Sequence, residues 1–311
     1  MRPYLYILFA MTIILSCKTV KDDFDTDLGH GYMALEVGRF IEYKVDSTIF
    51  DPTGDSLVQF THSFIRDVIV DTLRDNIGSL LFKTERYHRK NNSAPWQVQK
   101  VYTQSIQGNQ GIVTEDNLRY IKLAFPIQVF NSWNPIVHID PFTQFIVAGE
   151  TLEPFKNGNW RTRILSADEP DTIGSFGFEE VLTLREVNTG GYTFDENTNR
   201  VVEKNDPNDP SPLIELRNSY EKYANGIGLV FRERWILDSQ KCFEDCQPVN
   251  DMYNNCLQEC LMTTTDSVQC EINCQSFLFD YNDCIDECNA LPWDQKAQKG
   301  FIMRMTIIGH N

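Results

Sequence analysis

Eight of the nine cysteines in this chain fall into four C-x-x-x-C pairs that repeat every 14 residues: Cys242/Cys246, Cys256/Cys260, Cys270/Cys274 and Cys284/Cys288. Thiols in that number either oxidise to disulfides or hold a metal. Zinc sites favour tighter C-x-x-C spacing, so disulfides are the expected use and no metal site is assigned. No residue set in the sequence has the spacing of a reaction centre. His30, His62, His88, His138 and His310 are scattered, and neither HExxH nor GxSxG occurs. Acid pairs such as Asp168/Glu169 and Glu179/Glu180 read as solvated surface in an acidic chain, and Asn205 to Asp209 lacks the order of a calcium loop. No catalytic residue and no cofactor is therefore expected. Aromatic residues make up 12% of the chain. Trp235 reads as core, whereas Trp133 and Trp160, in loop-like contexts, are candidates for stacking on a glycan.

Residues four apart share one face of a helix, so each C-x-x-x-C presents two thiols to one neighbour. Asp238/Ser239, Asn250/Asp251 and Asp266 are candidate N-caps, Pro248 should break or kink the first helix, and Pro292 follows the last. The pattern resembles the twin C-x-x-x-C hairpins of small mitochondrial import chaperones and plant α-hairpinins. That resemblance implies Cys242 with Cys260, Cys246 with Cys256, Cys270 with Cys288 and Cys274 with Cys284. Helix geometry allows a second arrangement. Fourteen residues advance a helix by about 1400°, about 40° short of four turns, so two longer helices could join in one nested ladder about Thr263-Thr264-Thr265. It would pair Cys260 with Cys270, Cys256 with Cys274, Cys246 with Cys284 and Cys242 with Cys288. Pro248 disfavours the ladder, while Phe277-Leu278-Phe279, a poor turn, favours it. Two small hairpins are the expectation.

The ninth cysteine sits apart. Arg2 precedes an apolar run, Tyr4 to Leu15, shorter than the roughly 20 residues of a spanning helix. The run ends in Ile14-Leu15-Ser16-Cys17, which resembles a bacterial lipobox; this implies cleavage before Cys17, acylation of its thiol and attachment to a membrane. Lys21-Asp22-Asp23 resembles the short signal that displays some Bacteroidota lipoproteins on the outer face of the outer membrane. An exported chain meets an oxidising environment, in keeping with disulfides. Five tripeptides with acceptors Ser47, Ser56, Thr72, Thr172 and Ser267 resemble the O-glycosylation sequon of the same bacteria.

The body between these cysteine-bearing ends reads as antiparallel β. Alternating, β-branched segments recur from Arg39-Phe40-Ile41 onward through GSLLFKTERYHRK, WQVQKVYTQSI and RYIKLAFPIQVF, which points to a barrel or sandwich. NSWNPIVHIDPFTQF has no clean period, and RTRILSADEPDTIGSFGFEEVLTLREV reads as two strands around a DEPD turn. The polar stretch from Glu196 to Pro212 reads as a surface loop. Tyr220 to Phe231 resembles a strand of β-rich Bacteroidota lipoproteins of unassigned function; its Gly226 and Gly228 read as close strand packing rather than a nucleotide loop. That strand and the final GFIMRMTIIGHN are expected to pair as a hairpin, with the cysteine segment inserted at its tip. The layout is then signal peptide 1–16, tether 17–34, β domain 35–237, helical insertion 238–299 and final strand 300–311.

The formal charge of −16 argues against nucleic acid and anionic lipid as partners. The expectation is a non-enzymatic outer-membrane lipoprotein, exposed at the cell surface, that binds a protein partner through its helical insertion. A glycan-binding lipoprotein working with a transporter is the alternative.

Overall fold

A computed structural model describes residues 27–156, 160–190, 192–195, 200–203, 214–264 and 266–311. Cys17, the Lys21-Asp22-Asp23 motif and the Asn205 to Asp209 segment lie outside them. The strands are β1 (Phe40–Phe50), β2 (Val58–Arg74), β3 (Leu80–Arg89), β4 (Gln97–Gln107), β5 (Gln110–Glu115), β6 (Leu118–Ala124), β7 (Ser132–Trp133), β8 (Phe145–Val147), β9 (Glu150–Leu152), β10 (Thr162–Ile173), β11 (Phe176–Gly190), β12 (Tyr192–Asp195), β13 (Arg200–Glu203), β14 (Ile214–Ala224), β15 (Gly228–Ser239) and β16 (Lys299–His310). Three helices separate the last two strands: α1 (Lys241–Thr263), α2 (Ser267–Asn289) and α3 (Trp293–Lys296).

Twelve strands form one antiparallel sheet in the order β6-β5-β4-β3-β2-β1-β16-β15-β14-β11-β10-β7, curled into a nearly closed barrel. The first and last long strands are neighbours, Tyr43 opposite Ile307 and Val45 opposite Met305. β15 and β16 pair from Phe231/Thr306 to Asp238/Lys299, and the helices leave from that end. The seam between β6 and β7 is closed by single bonds: the Ile121 N–H donates to the Pro135 carbonyl at 2.9 Å, and Trp133 Nε1–H to the Ile121 carbonyl at 2.8 Å.

Both barrel ends are plugged with apolar side chains. At the β14–β15 turn, Tyr32 and Met33 of an N-terminal 3-10 turn pack with Leu123, Phe125, Leu182 and Tyr223. At the helical end, Ile136, Ile139, Leu152, Phe155 and Trp160 pack with Ile236. The stretch without periodicity is thus an irregular plug whose apolar residues are core, because a plug follows the shape of the barrel mouth rather than a pleat.

Between the plugs the barrel carries charge. Period-two alternation turns Asp67, Arg86, Lys122, Glu186 and Glu221 inward, all buried. Lys122 Nζ bridges Glu186 Oε1 (2.5 Å) and Glu221 Oε1 (2.8 Å). Arg232 Nε reaches Glu221 at 2.7 Å and Arg234 Nη2 reaches Glu186 at 2.6 Å. Arg86 grips Asp67 through two nitrogens and touches Glu115 at 3.1 Å. Burial alone would raise the Glu115 carboxyl, but Arg86, Lys100 and Arg232 overcome it and hold the group at about 2. Burial likewise opposes ionisation of Glu186, and Lys122 with Arg234 hold that carboxyl far below its ordinary range.

Two sequence expectations are corrected. β10 runs straight through Asp168-Glu169-Pro170-Asp171, and the chain turns at Gly174, at φ 63°. The DEPD stretch is a bulge, with Asp168 at φ 57° and the register against β11 shifting around Glu169; a proline without an N–H is tolerated at such a break in the ladder. Tyr220 to Phe231 is two strands rather than one. Gly226 and Gly228, at φ 72° and 107°, are turn glycines serving a reversal that side-chain-bearing residues disfavour.

Removing one partner of a buried ion pair costs about 3–5 kcal/mol, so Lys122→Met should lower the thermal midpoint by the order of 10 °C, read by circular dichroism. The depressed Glu115 carboxyl stabilises the fold above its unfolded value, and that contribution is lost as pH falls through about 2. Denaturant titrations from pH 5 to pH 2 should show a steeper loss of stability in the wild type than in Glu115→Gln.

Candidate functional site

The helical insertion is the most strongly built part of the molecule outside the barrel. α1 and α2 are 23 residues each, about 35 Å at 1.5 Å per residue. Asp266 caps α2 by accepting from the Gln269 N–H at 3.1 Å. α1 has no side-chain cap at Gln240; instead the Lys241 N–H bonds Ser239 Oγ at 3.1 Å. Asn250 and Asp251 lie inside α1 and cap nothing, and the helix runs unbroken through Pro248.

The four disulfides form one nested ladder: Cys242–Cys288, Cys246–Cys284, Cys256–Cys274 and Cys260–Cys270, with Cα separations of 5.4 to 5.9 Å. The expectation of two small hairpins is therefore overturned. Two hairpins need turns near Asn250/Asp251 and near Phe277 to Phe279. The second of these offers neither glycine nor proline, and both stretches stay helical. The ladder faces inward, with Cys242, Cys246, Cys270, Cys274 and Cys288 buried.

The hairpin packs chiefly on itself. Its helices meet each other extensively and no barrel strand to comparable extent. Its base is tied down locally, where Gln298 Nε2–H donates to Glu244 at 2.6 Å, Lys296 Nζ–H to the Asn289 carbonyl at 2.6 Å, and Ser239 Oγ–H to the Lys296 carbonyl. Sulfur bridges take the place of an apolar core here, as in small domains too short to bury one.

The outer faces of the two helices differ. At about 100° per residue, Val268, Ile272 and Phe279 fall within about 40° of one another and about 180° from the cysteines of α2. They are 63%, 57% and 55% exposed. The corresponding face of α1 carries Glu244, Gln247, Asp251 and Gln258, with one exposed apolar residue, Met262, in its last turn. Residues 241–291 hold ten carboxylates and one lysine, a net −9 of the chain's −16. The lysine, Lys241, pairs with Asp245 at 2.5 Å.

Of the two tryptophans proposed for glycan stacking, one is buried and the other half-buried. Trp160 is 5% exposed, its ring 5.2 Å from Phe155 and its Nε1–H bonded to the Pro154 carbonyl. Trp133 is half-buried at the seam and packs against the plug around Leu123. Both sit in irregular stretches that line the barrel mouth, so a loop-like sequence context did not mean exposure. Asp168 and Glu169, by contrast, are exposed, as are Glu179 and Glu180.

The interior ion network was not read from the sequence. Its signal was present: Asp67 in FIRDVIV, Lys122 in YIKLAF and Glu186 in LTLREVN stand among apolar neighbours at inward positions. A cavity of about 70 Å³ beside it is lined by Tyr43, Tyr102, Arg86, Glu115, Lys122 and Arg232. In the linked network Asp67, Glu115, Glu186 and Glu221 are each paired with at least one of Arg86, Lys100, Lys122, Arg232 and Arg234, so its carboxylates are met by cations of the chain itself.

No family model and no curated protein matches the chain. Among solved structures it is similar to a Bacteroides fragilis protein whose crystal structure is described as an exported protein with a YmcC-like fold. The two share 9% identity over 66% of this chain and 91% of that one, with a TM-score of 0.30; a likeness this distant carries no functional argument. Among the described residues no helix is long and apolar enough to cross a membrane, which says nothing of strands.

Disulfide mapping of the non-reduced protein by mass spectrometry should return a Cys242–Cys288 peptide pair and no Cys242–Cys260 pair. Reduction and alkylation should remove about 2–4 kcal/mol of constraint per bridge. The helical part of the far-ultraviolet spectrum should then be lost, while the thermal midpoint of the β signal shifts by less than about 4 °C, little more than a 1 kcal/mol change.

Proposed function

We propose that the protein is a non-enzymatic lipoprotein of the outer membrane, anchored through acylated Cys17, that presents its disulfide-stapled hairpin to a protein partner. The observation that carries this reading is polarity along the barrel. The described chain starts at the β14–β15 turn, where the Gly226 N–H bonds the Gly31 carbonyl at 3.0 Å. The hairpin leaves from the other end of β15, 12 residues away, roughly 40 Å along a strand at about 3.3 Å per residue. A lipid at Cys17, ten residues before Asp27, lies within about 35 Å of extended chain of the end that lacks the hairpin. The stapled helices then point away from the bilayer, where a partner in or beyond the membrane can meet them.

The rigidity of the hairpin also supports a binding role, because a pre-ordered element loses little conformational entropy on docking. Burial of Trp160 takes away one of the two stacking platforms of the glycan-binding reading, and Trp133 is half-buried at the seam.

Replacing residues 241–291 by a two-residue turn joins strands that already pair, so the barrel should stay folded. A mild-detergent pull-down of the wild-type lipoprotein should return a stoichiometric membrane partner that the shortened protein fails to retain. Equal recovery from both would sink the adaptor reading. Cys17→Ala should move the protein from the membrane to the soluble fraction, with its melting curve unchanged.

A further inference from the structure

We propose that the outer face of α2, centred on Val268, Ile272 and Phe279, is the docking surface, and that its occupant is a protein presenting an apolar groove rimmed by lysine or arginine. This rests on the reading that the hairpin binds protein and names the face and the partner's chemistry. The three side chains form a stripe over eleven residues, about 16 Å of helix, and each is more than half exposed. Large apolar residues aligned on one face of a helix are not what a solvated surface needs, whereas helices that dock into grooves use such anchors. The ladder holds α1 on the opposite side of α2, so the hairpin itself does not cover the stripe.

Charge selects the occupant. Asp286 falls in line with the stripe, and Asp283 lies about 40° to one side of it and Glu271 about 80° to the other at 100° per residue. With the hairpin at net −9, a second copy of this chain would bring two like-charged hairpins together, and an anionic lipid surface would be repelled. A cationic rim around an apolar groove meets both the stripe and its flanks. Charges of this kind act mainly on the rate of encounter and on partner choice, with Phe279 as the aromatic anchor.

The full-length anchored protein, produced in its own cells, is the material for the test. A photo-reactive benzoylphenylalanine replaces Ile272, Phe279 or, on the outer face of α1, Gln258, with the four cystines verified by intact mass without reduction. Irradiation should give one adduct from positions 272 and 279 and none from 258. Its yield should fall at least tenfold in about 0.5 M salt, where charges are screened beyond a few ångströms, and in Asp283→Lys/Asp286→Lys. The cross-linked peptide should carry apolar residues flanked by lysine or arginine. An adduct from 258 alone, or one indifferent to salt and charge reversal, overturns this face and leaves protein binding by the hairpin standing. An adduct with a second copy also overturns it. No adduct from any of the three positions overturns both this inference and the adaptor reading.

Discussion

The ion bridge from Lys122 to Glu186 and Glu221 is the constraint on which the barrel depends. β6 and β7 are the two edges of the sheet, and little backbone pairing joins them. Lys122 sits on the β6 edge, while its carboxylates stand on β11 and β14, beyond the seam. The bridge therefore ties together from inside what the hydrogen-bond ladder leaves open. Attraction at such a site is strong because it is buried away from bulk solvent, and for the same reason an unpaired member is costly. Two hydroxyls answer the same need: Tyr223 OH donates to Glu221 and Ser219 Oγ–H to Glu186, so the second oxygen of each carboxylate is also hydrogen-bonded.

This arrangement also explains why the ends are plugged and the middle is not. Two apolar clusters, one around Tyr32 and Leu123 and one around Phe155 and Trp160, fill the mouths and separate the ions from bulk solvent. The plug residues come from the N-terminal turn and from the irregular stretch between β7 and β10, segments free to follow the opening because they owe nothing to strand register. An edge that is tied and covered in this way is also protected against pairing with another chain.

The parts of the fold governed by local period were legible in the sequence, and those governed by long-range closure were not. Strands such as β1 and β16 announced themselves by alternation, and the cysteine segment lay where two strands could pair across it. The connectivity of the cystines was harder because spacing alone does not decide it. Every observed pair is centred on position 265, but the alternative pairs are equally well centred within each half. Turn chemistry decided the matter: Phe277 to Phe279 offers no turn residue for a second hairpin, whereas Asp266 supplies the N-cap of α2. A proline within α1 misled because a helix of this length, cross-linked on both sides of Pro248 by Cys246–Cys284 and Cys256–Cys274, can lose one backbone bond and continue. Trp160 misled for the opposite reason, since a stretch without periodicity need not be surface.

The hairpin and the barrel solve opposite problems with opposite means. The barrel buries charge and must balance it, so its interior is a closed set of pairs. The hairpin buries little besides sulfur, so nothing in its folding requires its surface charge to be balanced, and its surface is left free to carry ten carboxylates. Because its shape is fixed by covalent bonds, substitutions on its outer faces cost little stability, and those faces can answer to a partner alone. That separation is why the apolar stripe on α2 points to binding. On an element whose fold depended on apolar packing, Val268, Ile272 and Phe279 would be read as a core missing its cover, whereas here the core is the ladder and they contribute nothing to it.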